Sequence, residues 1–449
     1  MRIGRVLIAN RGEIAERIVR ACRTLGIESV VAVSAADKDS LAAQRADRAV
    51  CIGPAQVSES YLNQDALLAA ALGTGADAIH PGYGFLAENP AFADACERHG
   101  VTFVGPRGET VRTMGNKLAA REVAERYGVP VVPGSAHIAR YEDAVKIAGD
   151  IGYPVLFKAA AGGGGRGIRI VHGPDELRST FEHASAEGAA AFGDGALYLE
   201  RYVAAARHIE VQVFADRHGN VLHLGERDCS MQRRYQKIVE EAPAALIPEE
   251  ARASLSESAA VLTKGIDYEN AGTVEFLYDE DRGEYYFLEM NTRIQVEHPV
   301  TEEITGLDLV AMQLQVAAGD PLPVTQDEVR FTGHAIQCRI TAESPENGFR
   351  PAPGRIVDWR PPEGPGCRVD THCHDGYLVP PFYDSLLAKL IVHGRDRAEA
   401  TERMRVALRR FKVTGIDTNI DFLAFLTAHP DFADGRFTTS WVERQLSDR

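Results

Sequence analysis

Two carboxylates and an amide on one expected hairpin offer the first chemistry. Thr273–Tyr278 and Glu284–Glu289 are β-rich runs flanking a polar turn, Asp279-Glu280-Asp281-Arg282-Gly283. With the turn centred on Arg282, Glu275 lies opposite Glu289. Like charges facing each other across a sheet are unfavourable unless a cation sits between them. Asn291 shares the face of Glu289 by strand periodicity, completing an oxygen set suited to Mg²⁺. The alternative is a solvated acidic edge, and a register slip would separate the two carboxylates. If the chain stays extended, the same parity brings Arg293, Gln295 and Glu297 beside the metal. A cation, an amide and a carboxylate together can hold a small oxyanion and take its proton, although exposed loop polarity would show the same parity.

A second candidate is the loop Gly162-Gly163-Gly164-Gly165-Arg166-Gly167, between the strand-like Val155–Lys158 and Ile168–Val171. It does not open a helix, so it is not a Walker A loop. Its backbone N–H groups could close over phosphates with Lys158 supplying charge, or it could be a flexible hairpin tip. Arg207–Phe214 alternates, with His208, Glu210 and Gln212 on one side and Ile209, Val211 and Val213 on the other; from pattern alone it reads as a half-exposed strand. The basic run Arg233-Arg234-Tyr235-Gln236-Lys237 is expected to face an anion. Cys367, His372, Cys373 and His374 look like metal-ligand density, but neighbouring strand residues point to opposite faces and cannot all grip one ion.

The elements that must position these groups begin with βα units. Val6–Ala9 reads as a buried strand, and Asn10 with Glu13 has capping-box spacing. Ile14, Ile18, Cys22 and Leu25 then share a helical face that Gly26 ends. A second strand at Ser29–Val33 and further units up to Pro106 predict a parallel sheet covered on both faces, over residues 1–114. Asn10-Arg11-Gly12-Glu13 is not a dinucleotide fingerprint. Strands dominate from Tyr198 to about Phe287, and helices are expected near Leu307–Ala318, Arg397–Phe411 and Asn419–Ala428.

The 449 residues carry a net charge of −15 and a pI near 5.5, which disfavours a protein that coats duplex nucleic acid or an anionic membrane. Seven cysteines, an odd count, fit reduced thiols better than a disulfide framework. No apolar run is long enough for a membrane span, and the N-terminus lacks a signal-peptide core, so a cytoplasmic location is expected.

Four stretches carry a resemblance: Ile8–Ala15 (IANRGEIA), His80–Leu86 (HPGYGFL), Glu226–Arg234 (ERDCSMQRR) and Glu289–Val300 (EMNTRIQVEHPV). The chain resembles biotin carboxylase from residue 3 to about 445, and its length is similar to that of the free-standing subunit of bacterial acetyl-CoA carboxylases. The last motif is the most specific and the glycine-rich loop the least. The resemblance implies an α/β, overall α+β, chain with the ATP-grasp fold: a Rossmann-like N-terminal α/β domain over 1–114, an ATP-grasp region over 115–332 with a glycine-rich lid at about 131–202, and a mixed C-terminal domain over 333–449. It implies ATP-dependent carboxylation of biotin on a biotin carboxyl carrier protein. Bicarbonate attacks the γ-phosphate of MgATP (or its Mn²⁺ form), and carboxyphosphate delivers CO₂ to the biotin ureido nitrogen. This is the first half-reaction of acyl-CoA carboxylation in fatty acid synthesis.

Carried over residue by residue, the resemblance gives Lys117, Lys158, Gly164 and Gly165 to the ATP phosphates. Glu200 and the backbone near Val203 go to adenine, and His208 to the ribose or nearby nucleotide atoms. Glu275, Glu289 and Asn291 match the metal ligands, and Lys237, Arg293, Gln295 and Val296 the bicarbonate pocket. Glu297 matches the base, Arg293 and Arg339 support the anionic intermediate and the biotin enolate, and Tyr83 borders the biotin site. Arg339 shares a strand face with Ala335 and Gln337, opposite Ile336, Cys338 and Ile340. One departure is Tyr235, where the family has histidine or asparagine; a phenol carries no positive charge, so a phosphate contact there is in doubt. None of the eight lysines has the Met-Lys-Met context of a biotinylated carrier, which places the carrier in trans, with a separate carboxyltransferase. A homodimer is implied, with no nucleic acid or membrane partner. The alternatives are another ATP-grasp carboxylate ligase, such as a purine-pathway carboxylase, and a catalytically silent ATP-binding homologue.

Overall fold

A computed structural model describes residues 2–135, 138, 140–159, 169–192 and 197–447. The chain divides into two compact units, Met1–Val129 with His208–Phe276 and Glu289–Arg449, and Pro130–Arg207 with Leu277–Leu288. Among the described residues no helix is long and apolar enough to cross a membrane.

The first unit opens with a five-stranded parallel sheet in the order Arg48–Gly53, Glu28–Ser34, Arg5–Ile8, Ala78–His80 and Thr102–Phe103. Alternate residues feed a core on each side. Val6, Ile8, Val31 and Val33 pack with Ile14 and Ile18 of helix Gly12–Leu25. Leu7, Val30 and Ala32 face Leu67, Leu68 and Phe92. Helix Gly12–Leu25 ends at Gly26 in the left-handed conformation, as the sequence suggests. Its start differs from expectation. Arg11 is the N-cap residue and no side chain caps the helix. Asn10 instead donates to the carbonyls of Pro81 and Tyr83, both at 2.7 Å. It thereby ties the ends of strands Arg5–Ile8 and Ala78–His80 together where the strand order reverses, the usual place for a ligand crevice in such sheets. Gly82 is required here: its φ is +62°, and a Cβ would lie 3.0 Å from Asn10 Nδ2.

An eight-stranded sheet follows, in the order Glu284–Asn291, Asn270–Asp279, Ala206–Ala215, Val221–Arg233, Gln236–Ala242, His334–Thr341, Leu386–Gly394 and Cys367–Thr371. One face of its later strands is apolar: Val239, Ile336, Cys338, Ile340 and Leu390 pack under helices Arg397–Arg410 and Ile420–Ala428 through Met404, Leu408, Leu423 and Leu426. Cross-strand registers put Arg227 beside Glu210, Glu240 beside Gln337, and Arg339 beside Lys389, itself beside Asp370. The run from Tyr198 to Phe287 is not continuous strand, because helix Glu249–Gly265 interrupts it.

The second unit holds a three-stranded antiparallel sheet of Arg169–Val171, Val155–Ala159 and Leu197–Arg201. Val155, Phe157, Leu197 and Leu199 form its core with Ala144, Ala148, Leu177 and Phe181 from helices Tyr141–Ile151 and Pro174–Phe192.

Glu241 fixes the strand Gln236–Ala242 at its end. It accepts from Arg397 Nε at 2.7 Å and lies 2.8 Å from His334 Nε2. Burial alone would raise its carboxyl, but Arg397 and His334 outweigh it and bring the pKa down to about 2. A depressed carboxyl stabilises the fold above its unfolded pKa and loses that contribution as pH falls through the folded value. Glu241→Gln is expected to lower unfolding free energy by about 3 kcal/mol at neutral pH. The gap to wild type should close between about pH 4.5 and 2 in denaturant titrations at stepped pH.

Candidate active site

Strand pairing brings three carboxylates onto one ammonium. Glu210 and Arg227 face each other on neighbouring strands, and the irregular pairing between Asp228 and Gln232 is followed by a tight turn. Arg234 and Tyr235 both have positive φ, 48° and 65°, which suits the twist of a two-residue hairpin and returns the chain at once. Lys237 then points into the sheet face. Its Nζ lies 2.6 Å from Glu210 Oε2, 2.8 Å from Glu275 Oε1 and 2.7 Å from Glu297 Oε1. Burial would push this ammonium down, but the three carboxylates overcome it and hold its pKa well above the ordinary lysine value.

The carboxylates respond in kind. Glu210 is brought down to about 2 against the cost of burial by Arg227 and Lys237. Glu275 is held well below its usual range against burial by Lys237 and then His208. Glu297 is lowered, again against burial, by Lys237 and Arg339. Arg339 spans two of the acids: Nε donates to Glu240 Oε1 at 2.5 Å and Nη2 to Glu297 Oε2 at 2.9 Å. Glu240 goes the other way: burial raises its carboxyl despite Arg339.

Arg227 is fully buried and completely engaged. It donates to Glu210 at 2.5 Å, Gln212 at 2.8 Å, Thr301 at 3.0 Å, Thr273 at 3.2 Å and Gln295 at 2.7 Å. Gln295 in turn donates to Glu275 at 2.9 Å. Asn291 also donates to Glu275 at 2.9 Å while its Oδ1 accepts from Arg293 Nη2 at 2.8 Å. The amide orientation follows from its neighbours, since a flipped amide would set carbonyl against carboxylate and NH₂ against guanidinium. His208 Nε2 is 2.9 Å from Glu275 Oε2, and its Nδ1 faces Gln232 Nε2 at 2.8 Å. The sequence expectation of a half-exposed strand there is corrected: Glu210 and Gln212 are as buried as Ile209, Val211 and Val213.

Arg293, Gln295 and Glu297 do reach the cluster, but not by strand parity. The strand stops at Asn291, and helix His298–Thr305 begins just after Glu297. Val296 is half-buried in this turn. Lys237 sits on Glu275, but it is not the metal ion expected between Glu275 and Glu289. Glu289 stands apart, 4.0 Å from the exposed Lys117 at the start of helix Lys117–Arg126. Burial and then the Glu275 charge raise the Glu289 carboxyl, a repulsion that a divalent cation between the two would relieve. Both carboxylates therefore fit a hard cation, and Asn291 Oδ1, which accepts one hydrogen bond from Arg293, keeps a second lone pair.

Tyr83 donates its phenol hydrogen to Glu13, whose other oxygen lies 2.9 Å from the buried Lys389 ammonium. In the second unit Lys158 pairs with Glu200 at 2.5 Å, and Val203 is buried. Gly164 and Gly165 lie outside the described residues. Of the basic run only Lys237 enters the cluster: Tyr235 is 74% exposed, and Arg233 stacks on Phe349, 4.0 Å from its ring centre. Among the described residues, His/Cys/Asp/Glu groups close enough to share an ion are His208, Glu210 and Glu275, and Glu210, Cys229 and Glu297; the 367–374 segment forms none. All seven cysteines are free thiols. Sequence reasoning did not assign Arg227, Glu240, Glu88, Glu13 or Lys389 to the site. Arg227 lies in the family-like stretch Glu226–Arg234, between two acids, but neither signal assigned it a role.

Known proteins match this chain over nearly its whole length. The family described as "Biotin carboxylase, N-terminal domain" matches residues 2–111, "Carbamoyl-phosphate synthase L chain, ATP binding domain" matches 116–325, and "Biotin carboxylase C-terminal domain" matches 337–444. A biotin carboxylase of Nostoc sp. is 51% identical over 444 residues, covering 99% of each chain. A pyruvate carboxylase component of Methanothermobacter thermautotrophicus is 49% identical, over 98% of this chain and 89% of its own length. The biotin carboxylase domain dimer of Hydrogenobacter thermophilus 2-oxoglutarate carboxylase, solved with MgADP, ADP and bicarbonate, aligns with TM-score 0.90 and 48% identity, covering 99% of this chain and 98% of that one.

Removing the central ammonium should show how far the cluster depends on it. Lys237→Met leaves Glu210, Glu275 and Glu297 facing one another without it, at a cost of about 3–5 kcal/mol at neutral pH. At least one of these carboxyls then titrates above its unfolded pKa, so the variant recovers stability relative to wild type as pH falls. Thermal unfolding between pH 7 and 5 reads both effects.

Proposed function

The chain belongs to the biotin carboxylase family, and we propose that it carboxylates biotin on a separate carrier protein as the first half-reaction of an acetyl-CoA carboxylase. The enzyme is an ATP-dependent ligase of ATP-grasp type that uses bicarbonate to carboxylate biotin. The observation that best supports the finer assignment of roles is the position of Glu297, with Lys237 on one oxygen and Arg339 on the other.

Glu297 serves as the base. The two cations keep it ionised at neutral pH, so it is always ready to accept a proton, yet they also weaken it as a base. Proton removal from bicarbonate is therefore coupled to attack on the γ-phosphate, when negative charge leaves the oxyanion. Lys237, Arg293, Gln295 and the Val296 backbone form the bicarbonate pocket, and Lys117 supports the phosphates. A divalent cation would supply charge neutralisation to the triphosphate when bound; Glu275, Glu289 and Asn291 would hold it. Arg339, paired with Glu240 as well as Glu297, stabilises the biotin enolate, and Tyr83 borders the biotin ring. An oxyanion that enters takes over donors now spent on carboxylates, so the site exchanges one set of charge pairs for another without reorganising its backbone.

The partner assignment separates from the chemistry. Relatives include a pyruvate carboxylase component and a 2-oxoglutarate carboxylase domain, so those acceptors are the competing readings. The relative crystallised as a dimer supports a homodimer. The match to a biotin carboxylase over 99% of each chain supports a carrier in trans.

ADP release from MgATP and bicarbonate is expected to rise strongly with free biotin, and Glu297→Ala should abolish the biotin-stimulated rate, a loss of at least about a hundredfold. Turnover indifferent to biotin would instead indicate a different ATP-grasp ligase, and ATP binding without turnover a silent homologue. Labelled bicarbonate supplied to the chain with its co-purified carrier and transferase should appear on acetyl-CoA; label on pyruvate or 2-oxoglutarate would reassign the complex.

A further inference from the structure

We propose that Glu88 is a positioning residue for Arg293, holding the guanidinium so that two of its N–H donors are left for an oxyanion. The proposal rests on the reading that Arg293 grips bicarbonate. Glu88 stands on a pinned loop. Ala87 N donates to Gly84 O at 2.9 Å and Asn89 N to Leu86 O at 3.1 Å. Asn89 also caps helix Pro90–Arg98 by accepting from Phe92 N at 3.0 Å. The backbone on both sides of Glu88 is thus fixed before its side chain makes any contact.

Its carboxylate engages two successive residues of the site. Oε2 accepts from Arg293 Nε at 2.8 Å, and Oε1 accepts from the Thr292 backbone N–H at 3.1 Å. One acid therefore sets both where the chain turns after Asn291 and which way the arginine leaves it. Arg293 makes two further contacts, Nη2 to Asn291 Oδ1 at 2.8 Å and Nη1 to Ile294 O at 3.3 Å. A guanidinium has five N–H donors. Among the described residues three are used, leaving one on each terminal nitrogen, the fork that recognises a planar oxyanion. Without Glu88, Nε is free and the side chain loses its only charged tether among the described residues.

A simple structural tie would act on stability and on every substrate alike, so the two roles separate in kinetics. Biotin-stimulated ADP release is measured at varied bicarbonate and varied ATP for wild type, Glu88→Gln, Glu88→Ala, Arg293→Ala and the Glu88→Gln/Arg293→Ala double variant, with thermal unfolding of each. Glu88→Gln is expected to raise the bicarbonate KM about tenfold while the ATP KM stays within about twofold and Tm within about 2 °C. Glu88→Ala gives the larger rise, which covers a glutamine that still holds Nε. In the Arg293→Ala background Glu88→Gln should add nothing, because its target is gone. The proposal is overturned if both Glu88 variants leave the bicarbonate KM unmoved while Arg293→Ala raises it. Parallel rises in both KM values with a fall in Tm overturn it too, as the mark of a tie. If Arg293→Ala itself leaves bicarbonate dependence unchanged, the underlying reading of Arg293 fails, a result distinct from either.

Discussion

A single buried ammonium shared by three glutamates constrains everything around it. Glu210, Glu275 and Glu297 come from two strands and a turn, and Lys237 from a third strand. None of these acids can be buried and ionised alone, since an unpaired charge in such surroundings costs several kcal/mol. The segments must therefore converge together. Arg227 and Arg339 extend the arrangement on either side, so the functional groups are held by mutual neutralisation rather than by apolar packing. On the proposed mechanism, donors already aimed inward need no reorganisation when an anion replaces a carboxylate as their partner.

The polar band does not stop at the cluster. Across the sheet it continues from Arg339 to Lys389 and Asp370 by register, while Lys389 also reaches Glu13 and, through it, Tyr83. Glu13 follows the first parallel strand and Tyr83 the fourth, so the crevice where the N-terminal sheet reverses order is joined to the antiparallel sheet through charge. The opposite face of the same strands is apolar and carries the C-terminal helices. Strand alternation thus assigns chemistry to one face and cohesion to the other.

Legibility in the sequence followed range. The assignment of Arg339 comes from the family resemblance, and period 2 agrees with it, since Ile336, Cys338 and Ile340 mark the other face of the strand. The parallel sheet, the Gly26 stop and the Glu275 region were local signals. Glu210 was misjudged because alternation reports a polar face without saying whether protein or water covers it; here Arg227 and Lys237 cover it. Asn10 and Glu13 had capping-box spacing, yet each found stronger partners across the fold. Arg293 to Glu297 arrived through a turn, not through parity. Glu88 acts on residues 204 and 205 positions away, a distance at which spacing carries no information. What made the site recognisable was family resemblance, which records such long-range partners without explaining them.

Asn291 carries a consequence for the lifetime of the protein. An amide can meet a carboxylate with one end and a guanidinium with the other; an aspartate in its place differs by one heavy atom and would set carboxylate against Glu275. Spontaneous deamidation also brings a carboxylate there: the following backbone nitrogen attacks the side-chain carbonyl, ammonia leaves, and the resulting succinimide opens to isoaspartate and aspartate. Here that nitrogen belongs to Thr292, and its hydrogen is already committed to Glu88. A hydrogen bond on that N–H opposes the deprotonation the attack requires, so the carboxylate that meets Arg293 also protects the amide next to it.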